Sequence, residues 1–102
     1  MVMEAVKQGD ILKIDGIKKP VLTVSKDFFN KQGEIIGCPI FTSGEEGPLH
    51  ICIRTSKNEG YVQCEKLALL DLRIRHYAVV DRISENDKIN ISDAIQGIFD
   101  YL

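Results

Sequence analysis

Lys18 and Lys19 stand directly before Pro20 and the apolar run of Val21, Leu22 and Val24, so two ammonium groups sit at the mouth of a segment otherwise suited to burial. The pair can present charge to an anion, or it can be an ordinary solvated pair that keeps a strand end soluble. Thr42-Ser43-Gly44 follows the run that ends at Phe41 and offers two hydroxyls, although these residue types also favour turns for purely local hydrogen-bonding reasons. His50, taken with Cys38, Cys52 and Cys64, suggests zinc, but structural zinc ligands usually come as close pairs such as C-x2-C and this chain has none. Imidazole is also the side chain that carries protons near neutral pH, so His50 is either a proton carrier or plain polar surface on a strand.

The chain has 102 residues with 44% apolar content, which is enough for one compact domain, 1–102, and too little for two. Thirteen Lys and Arg against 15 acidic residues remove the argument from a globally basic surface, so any polyanion must be met locally. No apolar run approaches the roughly 20 residues that span a bilayer, and MVMEAVKQGD lacks a signal-peptide core, so a cytoplasmic protein with no membrane association is expected. The three cysteines sit singly in apolar segments, which suits reduced, buried thiols better than a disulfide frame.

The elements that must position these residues are short runs rich in Val, Ile, Tyr or Phe, bounded by Gly, Asn, Asp or Pro. ILKI ends at Asp15-Gly16, EIIGCPIF ends at the loop 42–48, LHICIRT ends at Asn58-Glu59-Gly60, and YVQCE and YAVVDRI follow. This spacing predicts strands joined by hairpins and hence a small, curled antiparallel sheet. In LHICIRT, Leu49, Ile51 and Ile53 share the core face, and His50, Cys52 and Arg54 share the other. KDFFNKQ has room for one helical turn, whose Phe28-Phe29 pair is expected to plug one end of the sheet. Ser84 to Asp87 supplies caps for a C-terminal amphipathic helix with Ile91, Ala94, Ile95, Ile98 and Leu102 on one face. Gly97 inside it costs up to about 1 kcal/mol relative to Ala.

Read in order, GDILKID, KKPVLTVSKDFFN, EIIGCPIFTSG and GYVQCEKLALLD resemble the successive signatures of the MazF/PemK/Kid toxins of type II toxin–antitoxin systems, and the resemblance covers nearly the whole chain. It implies a mainly β fold with α (α+β): a small curled antiparallel barrel, SH3-like and shared with the gyrase poison CcdB, carrying short helices and the C-terminal helix. It also implies a homodimer that cleaves single-stranded RNA with no metal and no other cofactor, neutralised by a cognate antitoxin whose disordered acidic tail wraps the dimer.

On this resemblance Lys19 takes the place of an arginine that serves cleavage, exchanging a planar fork for a point charge that can still neutralise a phosphorane. Thr42 or Ser43 supplies a hydroxyl to a non-bridging phosphate oxygen. Glu65 keeps an acidic position, and Gln63 stands where some members have an arginine. Cleavage of this kind needs a base for the 2′-hydroxyl, an acid for the 5′-oxygen and positive charge for the phosphorane, which Glu65 and Lys19 offer in reduced form. Lys18, Ser43, Gln63, Arg73 and Arg75 are the implied RNA contacts, although Arg73, Arg75 and His76 read equally as a solvated turn. The segment Glu65 to Asp71 keeps only its outer acids, and the first loop is cut to Asp15-Gly16-Ile17. The alternative is therefore a nuclease-deficient member that acts by binding protein, as a regulator or a gyrase inhibitor.

Overall fold

In the computed structural model, which describes residues 5–100, the elements run β1 (Asp10–Ile14), β2 (Val21–Thr23), α1 (Asp27–Asn30), β3 (Glu34–Phe41), β4 (His50–Arg54), β5 (Glu59–Gln63), β6 (Ala68–Asp71), β7 (Tyr77–Arg82) and α2 (Glu85–Phe99). The strands form one curled antiparallel sheet in the order β4-β5-β3-β2-β1-β7, with β6 added beside β3. The mainly β fold with a C-terminal helix is the one expected. None of the described helices is long and apolar enough to cross a membrane.

Strand β6 is the element that hairpin spacing misses. Ala68-Leu69-Leu70 lacks the β-branched and aromatic residues that mark strands, so it does not read as one. It forms because β5 reaches β3 only at Ile40 and Phe41, which leaves Glu34 to Gly37 in need of partners on that edge. The ladder supplies what the side chains do not advertise.

Alternate residues of the central strands feed two cores. Ile11, Leu22, Cys38, Ile40, Ile53, Val62, Ile83 and Ile91 pack inside the curl, whereas Leu12, Ile14, Val21, Ile35 and Leu72 pack on the opposite face. Helix α2 begins at Ser84, whose hydroxyl accepts the Asp87 N–H at 3.1 Å, and buries Ile91 with Ala94 and Ile95 half-covered. Ile98 is 38% exposed, and Leu102 lies outside the described residues.

Two expectations are corrected here. Phe28 is 73% exposed and plugs nothing, while Phe29 is half-buried. Neighbours on a helical turn point about 100° apart, and the inward place on α1 goes to Asn30, whose amide donates to the Val6 carbonyl at 2.7 Å and the Ser25 carbonyl at 3.0 Å. Cys52 is exposed, not buried, because it shares the outward face of β4 with His50 and Arg54. Cys38 and Cys64 are buried as expected, and burial pushes their thiols up to about 12 and about 11, which keeps them protonated and inert.

The sheet path ends at β4 and β7, and side chains link these two ends. Asp81 of β7 accepts from the Thr55 hydroxyl and, at 2.7 Å, from the Asn58 amide of the β4–β5 turn. Burial pushes the Asp81 carboxyl up, but the Thr55 and Asn58 donations outweigh it and hold the group below the usual carboxylate range. A depressed folded-state pKa means stabilisation that is present above the unfolded value and lost as pH falls through the folded one. Asp81→Ala should therefore cost about 1–2 kcal/mol in urea unfolding at pH 7, and its gap to the wild type should shrink below about pH 4. On α2, a Cβ at Gly97 would meet no neighbour, so Gly97→Ala should raise stability by up to about 1 kcal/mol in the same assay.

Candidate functional site

The outward face of β3, β4 and β5 carries the site. Phe41 is paired in register with Tyr61, and Gln63 is paired with His50, so these four side chains stand on one surface. The strands can approach this closely because residue 60 is glycine: a Cβ there would collide with the Phe41 carbonyl. The Ile40 N–H donates to the Pro20 carbonyl at 3.0 Å, which ties the segment before β2 to the end of β3. Lys19 is thereby held beside Phe41, with its Nζ 4.3 Å from the ring centroid and the Nζ of Lys66 at 5.7 Å. Both lysines are exposed, and the ring draws their charges together.

Glu65 sits in a turn closed by the Lys66 N–H on the Gln63 carbonyl at 3.1 Å. Its carboxylate meets the His50 ring, with Nε2 at 3.0 and 3.2 Å from the two oxygens, and Oε2 also accepts from the Gln63 amide at 3.0 Å. Burial pushes the Glu65 carboxyl up, but the Gln63 and His50 hydrogen bonds more than offset it, so the group lies below the ordinary glutamate range. In front of this pair lies a hollow of about 380 Å³ walled by Phe41, Tyr61, His50, Gln63 and the loop at Ser43 to Glu45. Among the described residues, no three His, Cys, Asp or Glu side chains gather as a metal-holding group.

The residues singled out by sequence fall into two groups. Lys18, Lys19, Thr42, Ser43, Gln63 and Glu65 all belong to the segments meeting at the Phe41 end of β3; Lys18 and Thr42 are exposed there, and Ser43 lines the hollow. Arg73 and Arg75 follow β6 at the other end of β3, where Glu34 pairs with Asp71. Seven strand steps separate that end from Phe41, or roughly 23 Å. Arg73 is also engaged by Asp71 through two side-chain bonds of 2.9 and 3.0 Å. Sequence reasoning passed over Phe41, Tyr61 and Lys66, and it left His50 without its partner. The signal for Phe41 and Lys66 was there in their nearness to Thr42 and Glu65, but that for the His50–Glu65 pair lies only in the β4–β5 register.

The family model described as "PemK-like, MazF-like toxin of type II toxin-antitoxin system" matches residues 7–99. Among solved structures, a chain of the MazE-MazF crystal structure (Form-I) from Deinococcus radiodurans superposes with TM-score 0.84 at 15% identity, covering 93% of this chain and 96% of that one. An endoribonuclease from a mycobacterial species gives TM-score 0.83 at 19% identity, covering 97% and 95%. A mycobacterial endoribonuclease in complex with its cognate antitoxin gives 0.79 at 20%, covering 93% and 95%. At these identities the likeness is one of fold. No curated protein sequence matches.

The close passage at Gly60 yields a direct test of this construction. Gly60→Ala forces a methyl against the Phe41 carbonyl, and backbone cannot yield as a flexible side chain would. The variant should lose about 1–3 kcal/mol in urea unfolding, the usual cost of overpacking.

Proposed function

The chain belongs to the PemK-like, MazF-like toxin family of type II toxin–antitoxin systems, and on that premise we propose that it is an endoribonuclease cutting single-stranded RNA without a metal. The observation that carries this reading is the exposed Lys19 ammonium held on Phe41, next in sequence to the Thr42 and Ser43 hydroxyls. In the proposed reaction the 2′-oxygen attacks the adjacent phosphorus and the bond from phosphorus to the 5′-oxygen breaks, leaving a 2′,3′-cyclic phosphate and a 5′-hydroxyl. The Lys19 ammonium balances the phosphorane charge and gives its proton to the departing oxygen, while Thr42 or Ser43 donates to a non-bridging oxygen. The 2′-proton leaves toward the Glu65 end of the site. Phe41 and Tyr61 offer aromatic faces for unpaired bases, and Lys18, Lys66 and Gln63 offer donors to the backbone.

The same reading includes a cytoplasmic homodimer and an antitoxin with a disordered acidic tail. Exposed Leu69, Ile74 and Val79, together with Ile98 and Phe99 near the end of α2, leave apolar surface for a second copy. The tail would cross Lys18 and Lys19 at one end of β3 and Arg73 and Arg75 at the other, competing with RNA for the same charges. A second reading, a member that acts only by binding protein, is favoured by one observation: in the family's site segment, Glu65 to Asp71, the stretch Leu67-Ala68-Leu69-Leu70 offers no side chain for proton transfer or phosphate binding.

Incubating the protein with a long single-stranded RNA and no divalent metal separates the two readings. Discrete products ending in 2′,3′-cyclic phosphate support the nuclease, and intact RNA at high protein concentration supports the binder. In single-turnover cleavage Lys19→Ala should be slower by about a hundredfold, or on the order of 3 kcal/mol of transition-state stabilisation, whereas Lys19→Arg should keep or raise the rate. Thermal melts should show Lys19→Ala folded, with a stability change within about 1 kcal/mol, the scale of an exposed cation–π contact. Equal cleavage by the wild type and a folded Lys19→Ala would remove Lys19 from the chemistry.

A further inference from the structure

Glu65 is a poor choice for the proton acceptor itself. Both of its oxygens face His50 Nε2, Oε2 also accepts from Gln63, and these bonds stabilise the ionised form at the expense of its basicity. The histidine is differently placed. A carboxylate can only accept, so the neutral His50 ring must carry its proton on Nε2 toward Glu65. That leaves the lone pair on Nδ1, and no described hydrogen bond engages it. Its side chain is 44% exposed and lines the 380 Å³ hollow with Phe41 and Tyr61.

Resting on the nuclease reading, we propose that His50 is the general base of the reaction, that Glu65 is its positioning residue, and that the hollow seats the nucleotide whose 2′-hydroxyl attacks. As the 2′-oxygen bonds to phosphorus, its proton passes to His50 Nδ1. As the bond to the 5′-oxygen breaks, that oxygen takes the Lys19 proton, and solvent then returns the proton from the imidazolium to the lysine. No other reagent is required. The base of the seated nucleotide stacks on the Phe41 and Tyr61 rings, a contact available to any base in a single strand. The arrangement follows the logic by which a carboxylate fixes the tautomer of a histidine base in hydrolases, built here on a β-hairpin.

Several titratable groups face His50. Glu65 approaches from the β5–β6 turn, Glu45 from the β3–β4 loop and Tyr61 from β5, with Cys52 two residues along β4, while Lys19 and Lys66 meet at Phe41 of the same patch. A base must be unprotonated to take the 2′-proton, so cleavage that runs through His50 should gain as pH rises.

Single-turnover cleavage of a long mixed-sequence single-stranded RNA, without divalent metal, tests the assignment across pH. The wild-type rate should climb with pH and level off. His50→Gln should lose about a hundredfold or more, within the range for a general base, and should lose the pH-dependent limb. Adding free imidazole to His50→Ala should restore part of the rate, with the gain rising as more imidazole is unprotonated. Glu65→Gln should slow cleavage about tenfold but keep the pH-dependent limb, since the base itself remains while the carboxylate that holds its Nε2 proton is gone. Far-UV circular dichroism should show all three variants folded, because His50 and Glu65 are surface residues. A wild type that cleaves while His50→Gln matches its rate, or keeps its limb, would overturn this assignment and return the base to Glu65. A wild type that leaves the RNA intact would overturn the nuclease reading, and this inference with it.

Discussion

Strand β3 must satisfy two edges with three partner strands, and most of the molecule is arranged around that demand. Along one edge β2 pairs with Gly37 to Pro39; along the other, β6 pairs with Glu34 to Gly37 and β5 takes over at Ile40 and Phe41. A buried strand cannot leave N–H and C=O groups unpaired over such a length without losing about the value of each hydrogen bond. The turn between β5 and β6 must therefore occur alongside β3, and Glu65 is in it. Its position is a by-product of backbone accounting.

Local electrostatics then act on what the ladder has placed. A chain with formal net charge −2 can still present cations if they are grouped, and Phe41 groups two of them where the β2 lead-in meets the β5–β6 turn. At the opposite end of β3, Asp71 and Arg73 do the reverse. The Arg73 hydrogen bonds hold the Asp71 carboxyl below its usual range, and the guanidinium is correspondingly satisfied within the protein. One cation group is unpaired by any carboxylate in the described structure, and the other is partly spent. That asymmetry favours the Phe41 end for the proposed chemistry.

Hairpin spacing and the i, i+4, i+7 pattern of the last helix were enough to read most strands, the curl and α2, because these signals are local. Strand β6 was not legible, since its cause lies in the unpaired edge of a strand some 30 residues earlier. Phe28-Phe29 misled for a related reason: apolarity predicts burial only where a face is available, and the single turn of α1 gives its inward place to a hydrogen-bonded Asn30. Within the candidate site, Lys19, Thr42, Ser43 and Glu65 are proposed from the order of segments. His50 could be suspected but not placed. Its partner depends on the β4–β5 register, and that is set by a turn that starts five residues on, in which Thr55 N–H donates to the Asn58 carbonyl at 2.7 Å.

That register has a further consequence. Sliding β4 by one residue would turn His50 into the core and bring Ile51 to the surface, so the pairing of His50 with Gln63 is enforced by the apolar face of the same strand. Ile53 is fully buried and Leu49 and Ile51 partly so, which gives the slip a cost in core burial that no surface contact could offset. The Asp81 link fixes the far end of the hairpin to β7 and resists the same motion. The imidazole, the carboxylate and the aromatic pair therefore sit on rigid strands and a tight turn, not on mobile loops. For the proposed reaction, in which a proton acceptor must meet a flexible strand of RNA, such a site gains most because its own half of the geometry is already fixed and ordering falls on the substrate alone.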